Sequence, residues 1–137
     1  MKKNIFSIML IVLILMFISG CDRRVEYEFL QPNENIVKIE YVTAWYNKEA
    51  IVIKELSKDK TEEFLIDFKK INCSKVYIDP RSIESGDNAI KIKYINGDFE
   101  LINEDGQASY KNGIFRDYGY YGLNDEQFQE LINKYFK

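Results

Sequence analysis

The reactive groups available to this chain are few. Two cysteines, Cys21 and Cys73, supply thiols, and there is no histidine. Its absence excludes Ser-His and Cys-His nucleophile pairs and removes the commonest metal ligand. Oxygen ligands gather in Glu84-Ser85-Gly86-Asp87-Asn88 and in Asn103-Glu104-Asp105-Gly106. Neither stretch has the twelve-residue spacing of a known calcium loop, so both read as solvated turns. A hydrolytic pair of carboxylates is defined by separation in space rather than along the chain, so the sequence nominates no catalytic residue. It also implies no metal and no cofactor.

Cys21 is the thiol with a distinctive setting. Lys2-Lys3 form a short positive region, Ile5 to Met16 an apolar one, and Ser19-Gly20 a small-residue exit before the charged Asp22-Arg23-Arg24. That order is the layout of a secretory signal. The rival is an uncleaved spanning helix, which needs about 20 apolar residues, whereas residues 5–18 provide about 14.

Ile18-Ser19-Gly20-Cys21 resembles the lipobox of bacterial lipoprotein precursors, an apolar residue and two small ones before Cys. The resemblance covers the leader of about twenty residues. It implies cleavage between Gly20 and Cys21 and a diacylglyceryl thioether on Cys21, with palmitate-type acyl chains holding the mature amino terminus in the cell membrane. One chain anchors marginally and two anchor stably, at ~0.8 kcal/mol per buried methylene. The implied location is the extracytoplasmic face, with the membrane as a partner through Cys21. A structural Cys at the end of a membrane helix is the competing reading.

If Cys21 is acylated, Cys73 has no partner for an intramolecular disulfide. Its bland role is that of a small buried hydrophobe. From Cys21 onward the chain has 17 basic and 22 acidic residues, the wrong balance for a nucleic-acid footprint.

Elements must position whatever the domain uses. With 46% hydrophobic and 30% charged residues, residues 25–137 have material for one core, behind a signal peptide at 1–20 and a lipidated tether at 21–24. Val25 to Phe29 alternates as a short strand, or belongs to a disordered linker reaching Asn35. Ile36 to Tyr46 predicts a strand with Val37, Ile39, Tyr41 and Trp45 inward, paired with Ala50 to Leu56. A helix over about 60–72 follows, with the stripe Phe64, Leu65, Phe68, Ile71 and a capping box of Asp59 with Glu62. Lys75 to Ile78 reads as a short strand.

Ala89 to Ile102 predicts a hairpin around Asn96-Gly97 as a two-residue type I′ turn, setting Tyr94 opposite Phe99 and Ile92 opposite Leu101. Asn112-Gly113 predicts a second such turn, between Ala108 to Lys111 and Ile114 to Tyr121, setting Tyr110 opposite Phe115. A helix over about 124–136 closes the chain, capped by Asn124 with Gln127 reciprocating. The fold class is α+β, an antiparallel sheet of about 6–8 strands with the two helices packed on one face. In size and layout the exported part resembles small bacterial lipoproteins of unassigned activity.

Two functional readings follow. The first is a non-enzymatic binding module for a protein, peptide or envelope component, using the open sheet face or an edge near Tyr118, Tyr120 and Tyr121. Aromatic rings there offer large area and a polar tip; the competing reading is an edge strand whose rings alternate into the core. The alternative is a small carboxylate-dependent envelope hydrolase.

Overall fold

The computed structural model describes residues 24–43, 50–75, 83, 86–104, 106–118 and 121–137. The elements in chain order are β1 (Ile36–Thr43), β2 (Ile51–Glu55), α1 (Thr61–Phe68), β3 (Cys73–Lys75), β4 (Asn88–Tyr94), β5 (Phe99–Ile102), β6 (Gln107–Lys111), β7 (Ile114–Tyr118), β8 (Tyr121–Leu123) and α2 (Asp125–Phe136). Six strands form one antiparallel sheet in the order β2-β1-β4-β5-β6-β7, and β3 pairs with β8 in a second sheet. The α+β class is thus observed.

Both helical stripes work as periodicity requires. Phe64, Leu65 and Phe68 of α1, with Ile71 just beyond it, and Phe128, Leu131, Ile132 and Tyr135 of α2 are all buried. They meet Ile39, Ile90, Ile92, Tyr94 and Ile102 on one face of the large sheet. That face holds the main core, and removing its apolar area from water, at roughly 25 cal/mol per Å2, is the principal driving force.

Several local features differ from expectation. Residues 24–29 form no strand and are not a disordered linker either: Val25 N–H donates to Cys73 O at 3.1 Å, and Tyr27 is buried. Val37 is 59% exposed because the β1–β4 register shifts between Ile36 and Lys38, turning it off the core face. The Asp59–Glu62 capping box does not form. A 3-10 turn over Lys58–Lys60 occupies that position, and the N-cap of α1 is Lys60, without a side-chain cap. The helix ends at Phe68 and not near 72, its last turn tightening through Ile71 N–H to Phe68 O at 3.1 Å.

Asn124 caps α2, accepting from Gln127 N–H at 3.0 Å. The Gln127 side chain does not return the bond to Asn124. It accepts from Asn72 N–H at 2.7 Å, while Asn124 N–H donates to Asn72 O at 2.9 Å, so the cap also ties α2 to the start of β3. Of the strand expected over Lys75 to Ile78, Lys75 lies in β3 (Cys73–Lys75). Residues 76–78 and Trp45 lie outside the described residues.

The largest correction concerns the β4–β5 hairpin. Its loop has three residues: Tyr94 N–H donates to Asp98 O and Gly97 N–H to Tyr94 O, with Gly97 at φ +88°. A tight turn closed by a left-handed residue is the usual three-residue solution. The register therefore pairs Lys93 with Phe99, Ile92 with Glu100 and Lys91 with Leu101. A one-residue slip exchanges the two faces of a strand, so Glu100 points into the helix-covered core while Phe99 and Leu101 face the other way. The second hairpin forms as expected. Asn112 and Gly113 both have positive φ, and Tyr110 pairs with Phe115.

Candidate binding surface

The sheet face away from the helices is built by the registers just described. Residues directly opposite across antiparallel strands share a face, and one row runs Lys38, Lys93, Phe99, Tyr110, Phe115 across β1, β4, β5, β6 and β7. The Phe99 and Tyr110 rings stack with centroids 5.2 Å apart and planes at 14°. Phe99, Tyr110 and Phe115 are all partly exposed.

Behind this row the face is half closed. Val42, Ile83, Ala89, Leu101 and Ala108 form a second buried cluster, against which Phe99 and Phe115 pack. Ile83 comes from the long connection after β3, so part of this face has its own cover. The rings are therefore held on one side by an apolar floor and open on the other.

Toward β2 the face becomes charged. Glu40 is 2% exposed, with Lys93 Nζ at 3.1 Å and Lys38 Nζ at 3.5 Å from its oxygens, and Lys38 also reaches Glu55 at 2.7 Å. Lys91 lies with its Nζ 4.1 Å from the Phe99 ring centroid. Burial, then the neighbouring Lys93 charge, pulls its ammonium below the usual lysine range, while Glu40 opposes the shift. A cation on an aromatic face is worth about 0.5–2 kcal/mol, so Lys91 stiffens the platform.

No protein family, characterised protein or solved structure matches the chain. The surface therefore has to be read from its own chemistry.

Of the expected tyrosine patch, Tyr121 turns into the core. Tyr121 is 7% exposed, with its ring centroid 4.8 Å from that of Tyr27 in the core. The cause is a change of sheet: the strand expected to run to Tyr121 stops at Tyr118, and the chain resumes as β8 beside β3. Gln107 spans the break, its amide accepting from Tyr121 N–H at 2.9 Å and donating to Tyr121 O at 2.8 Å. Tyr118 lies on β7 opposite Gln107, and Tyr120 lies outside the described residues.

Cys73 is buried and unpaired. Burial pushes its thiol up to about 11, which leaves almost no thiolate near neutrality. Asn103 closes its own turn, accepting from Gly106 N–H at 2.8 Å. Among the described residues, no three His, Cys, Asp or Glu side chains are grouped so that they could hold a metal ion, and no helix is long and apolar enough to cross a membrane.

Two carboxylates of the helix pair, Asp67 and Glu63, are bonded to lysines. Asp67 accepts from Lys134 at 2.7 Å, Lys70 at 2.6 Å and Tyr135 Oη at 2.8 Å, and these bonds hold its carboxyl well below the usual range. Glu63, bonded to Lys60 and Lys134, is lowered to about 2. Acids so depressed stay ionised at neutral pH and do not donate protons. Glu100, whose carboxyl is raised by burial, lies inside the core, bonded to Tyr94, Leu30 N–H and Tyr27.

Proposed function

We propose that the chain is a lipoprotein anchored through Cys21 on the extracytoplasmic face of the cell membrane, and that its folded part is a non-enzymatic binding module for a protein, peptide or envelope component. The row Phe99, Tyr110, Phe115 carries the binding reading. Three partly exposed rings on adjacent strands offer contact area at low entropic cost, and Lys93 and Lys38, paired with Glu40 and Glu55, give the same face a charged margin.

The anchoring reading rests on the leader and its lipobox-like residues. Three residues separate Cys21 from Val25, whose N–H is bonded to Cys73 O in the folded part. Three residues span about 10 Å, so the folded part would work close to the membrane. A Cys21→Ala change should release the chain from the membrane fraction and leave an uncleaved, unlipidated mass. Unchanged retention with an unchanged mass would remove the anchor.

The binding surface is tested by crosslinking in intact cells, comparing the parent chain with Tyr110→Ala and Phe115→Ala. Capture of a reproducible partner should fall in both variants while their circular dichroism is retained. Capture that survives both changes would rule the aromatic row out. The alternative, a carboxylate-dependent hydrolase, would use a cleft of about 680 Å3 between β1 and α1, which Glu34 and Glu62 line.

A further inference from the structure

Val37 and Ile66 are 59% and 52% exposed, and both line the cleft between β1 and α1. Each has a local reason to face outward: the β1–β4 register shift turns Val37 off the core, and Ile66 lies outside the buried stripe of α1. Large apolar residues that are grouped rather than scattered mark contact sites. The charges lining the cleft cancel, Lys58 and Lys69 standing against Glu34 and Glu62. The surface is apolar at its centre and neutral in sum at its rim.

What lies against it is set by where the chain enters the fold. Lys69, three residues on from Ile66 at the end of α1, forms an ion pair with Glu26 at 3.2 Å. Glu26 is the fifth residue after Cys21, and five residues of chain extend at most ~18 Å. An acyl group on Cys21 therefore keeps this side of the domain next to the lipid that holds it.

We propose that the cleft docks on the surface of that lipid bilayer, with Val37 and Ile66 entering the headgroup region. The proposal rests on the anchoring through Cys21 put forward above, and specifies which side of the domain meets the lipid. Two exposed apolar side chains bind a bilayer weakly on their own, but the short tether makes the encounter intramolecular, at an effective concentration on the order of millimolar. Because the rim charges cancel, the contact needs no anionic lipid and resists salt. The row Phe99, Tyr110, Phe115 lies on the sheet face opposite the helices. Docking by the cleft thus turns the row away from the lipid and leaves it open to its own partner.

The test reconstitutes the lipidated full chain into phosphatidylcholine vesicles whose acyl chains carry bromine near the headgroup. A fluorescent label is placed at Ile66→Cys or, as control, at Tyr110→Cys; Cys73 is buried and Cys21 acylated, so the introduced thiol takes it. Quenching by bromine should be about five-fold greater at position 66 than at position 110, and should survive about 0.5 M salt. Adding Val37→Asp, at an exposed position, should bring it down to the control level with unchanged circular dichroism. Equal quenching at both positions on chains that float with the vesicles, quenching abolished by salt, or copy-to-copy crosslinking through position 66 would each overturn the docking while leaving the anchor in place. A chain whose mass shows no lipid and which does not float with the vesicles would overturn the anchor, and the docking with it.

Discussion

The Glu100 carboxylate accepts a hydrogen bond at 2.9 Å from the Tyr27 hydroxyl, 73 residues earlier in the chain. The same side chain accepts from Leu30 N–H at 3.1 Å and from the Tyr94 hydroxyl. One buried acid thus fastens the amino-terminal segment to the sheet, and the segment closes the main core with Tyr27, whose ring meets those of Phe29, Phe68 and Tyr121.

Removing that acceptor should be costly. Glu100→Ala leaves two hydroxyls and a backbone N–H without it, at about 1–3 kcal/mol per buried group, for a combined loss of about 3–5 kcal/mol in a urea titration. Glu100→Gln keeps an acceptor and should lose less. The pH dependence has a definite sign. Burial raises the Glu100 carboxyl, against the opposing pull of its three hydrogen bonds, so the folded state binds this proton more tightly than the unfolded one. Its contribution is fully present below the unfolded value of about 4.3 and is lost as pH rises through the folded value. The difference in urea midpoint between the parent chain and Glu100→Gln should follow that slope, and a pH-independent difference would contradict the assignment.

The helix pair titrates in the opposite sense. Asp67 and Glu63 are depressed first by hydrogen bonds from lysines, those of Lys134 and Lys60 respectively. Their contribution is present above the ordinary carboxylate value of about 4 and is lost as pH falls toward about 2 for Glu63. Lys134 reaches Asp67 at 2.7 Å and Glu63 at 2.9 Å, so Lys134→Ala should flatten the acid limb of the stability curve. Because the network lies at the surface, about 1 M salt should reproduce much of that flattening in the parent chain. An acid limb indifferent to both changes would assign acid unfolding to other groups.

Cys73 should behave as a core residue. Its thiol is buried in the main cluster and pushed up to about 11, so a maleimide at neutral pH should leave it unmodified in the native chain and label it once urea unfolds the protein. Mass spectrometry of the Cys73 peptide reads the result. Rapid labelling under native conditions would show that β3 and β8 open readily, since Cys73 pairs directly with Leu123.

Legibility followed the length of the pattern. The stripes of α1 and α2 repeat over two or more turns, and each named apolar residue is buried. The Asn112-Gly113 hairpin was equally readable, because two adjacent residues with positive φ leave little choice of turn. What failed depended on single residues whose competitors were tertiary. Val37 alternates as a core residue should, yet a bulge turns it outward, and Asp59 has the chemistry of a cap, yet a 3-10 turn takes its place. Tyr110 opposite Phe115 was visible from turn chemistry, whereas Phe99 joined their row through the length of one loop. Nothing local in Tyr118 to Gly122 marks the change of sheet that buries Tyr121.

That loop gives the sharpest test of register. Tyr94 and Asp98 flank Ile95, Asn96 and Gly97, and Ile95 is 73% exposed. Deleting Ile95 leaves Asn96-Gly97 as a two-residue connection between the same flanking pair, a sequence well suited to a type I′ turn. Glu100 should therefore stay inward and Phe99 outward, at the cost of one hydrogen bond, Ile95 N–H to Asn35 O, or about 1 kcal/mol. Gly97→Ala keeps the loop length but puts a Cβ on a residue at φ +88° and should cost about 1 kcal/mol. Asn96→Gly, at a position without positive φ in the three-residue loop, should not stabilise the parent chain but should help the Ile95 deletion, where both loop residues need it. Amide exchange at Leu30 reports the register directly, since its N–H stays protected while Glu100 faces the core. Loss of that protection in the deletion variant would mean that the strand had slipped by one residue and turned Glu100 out.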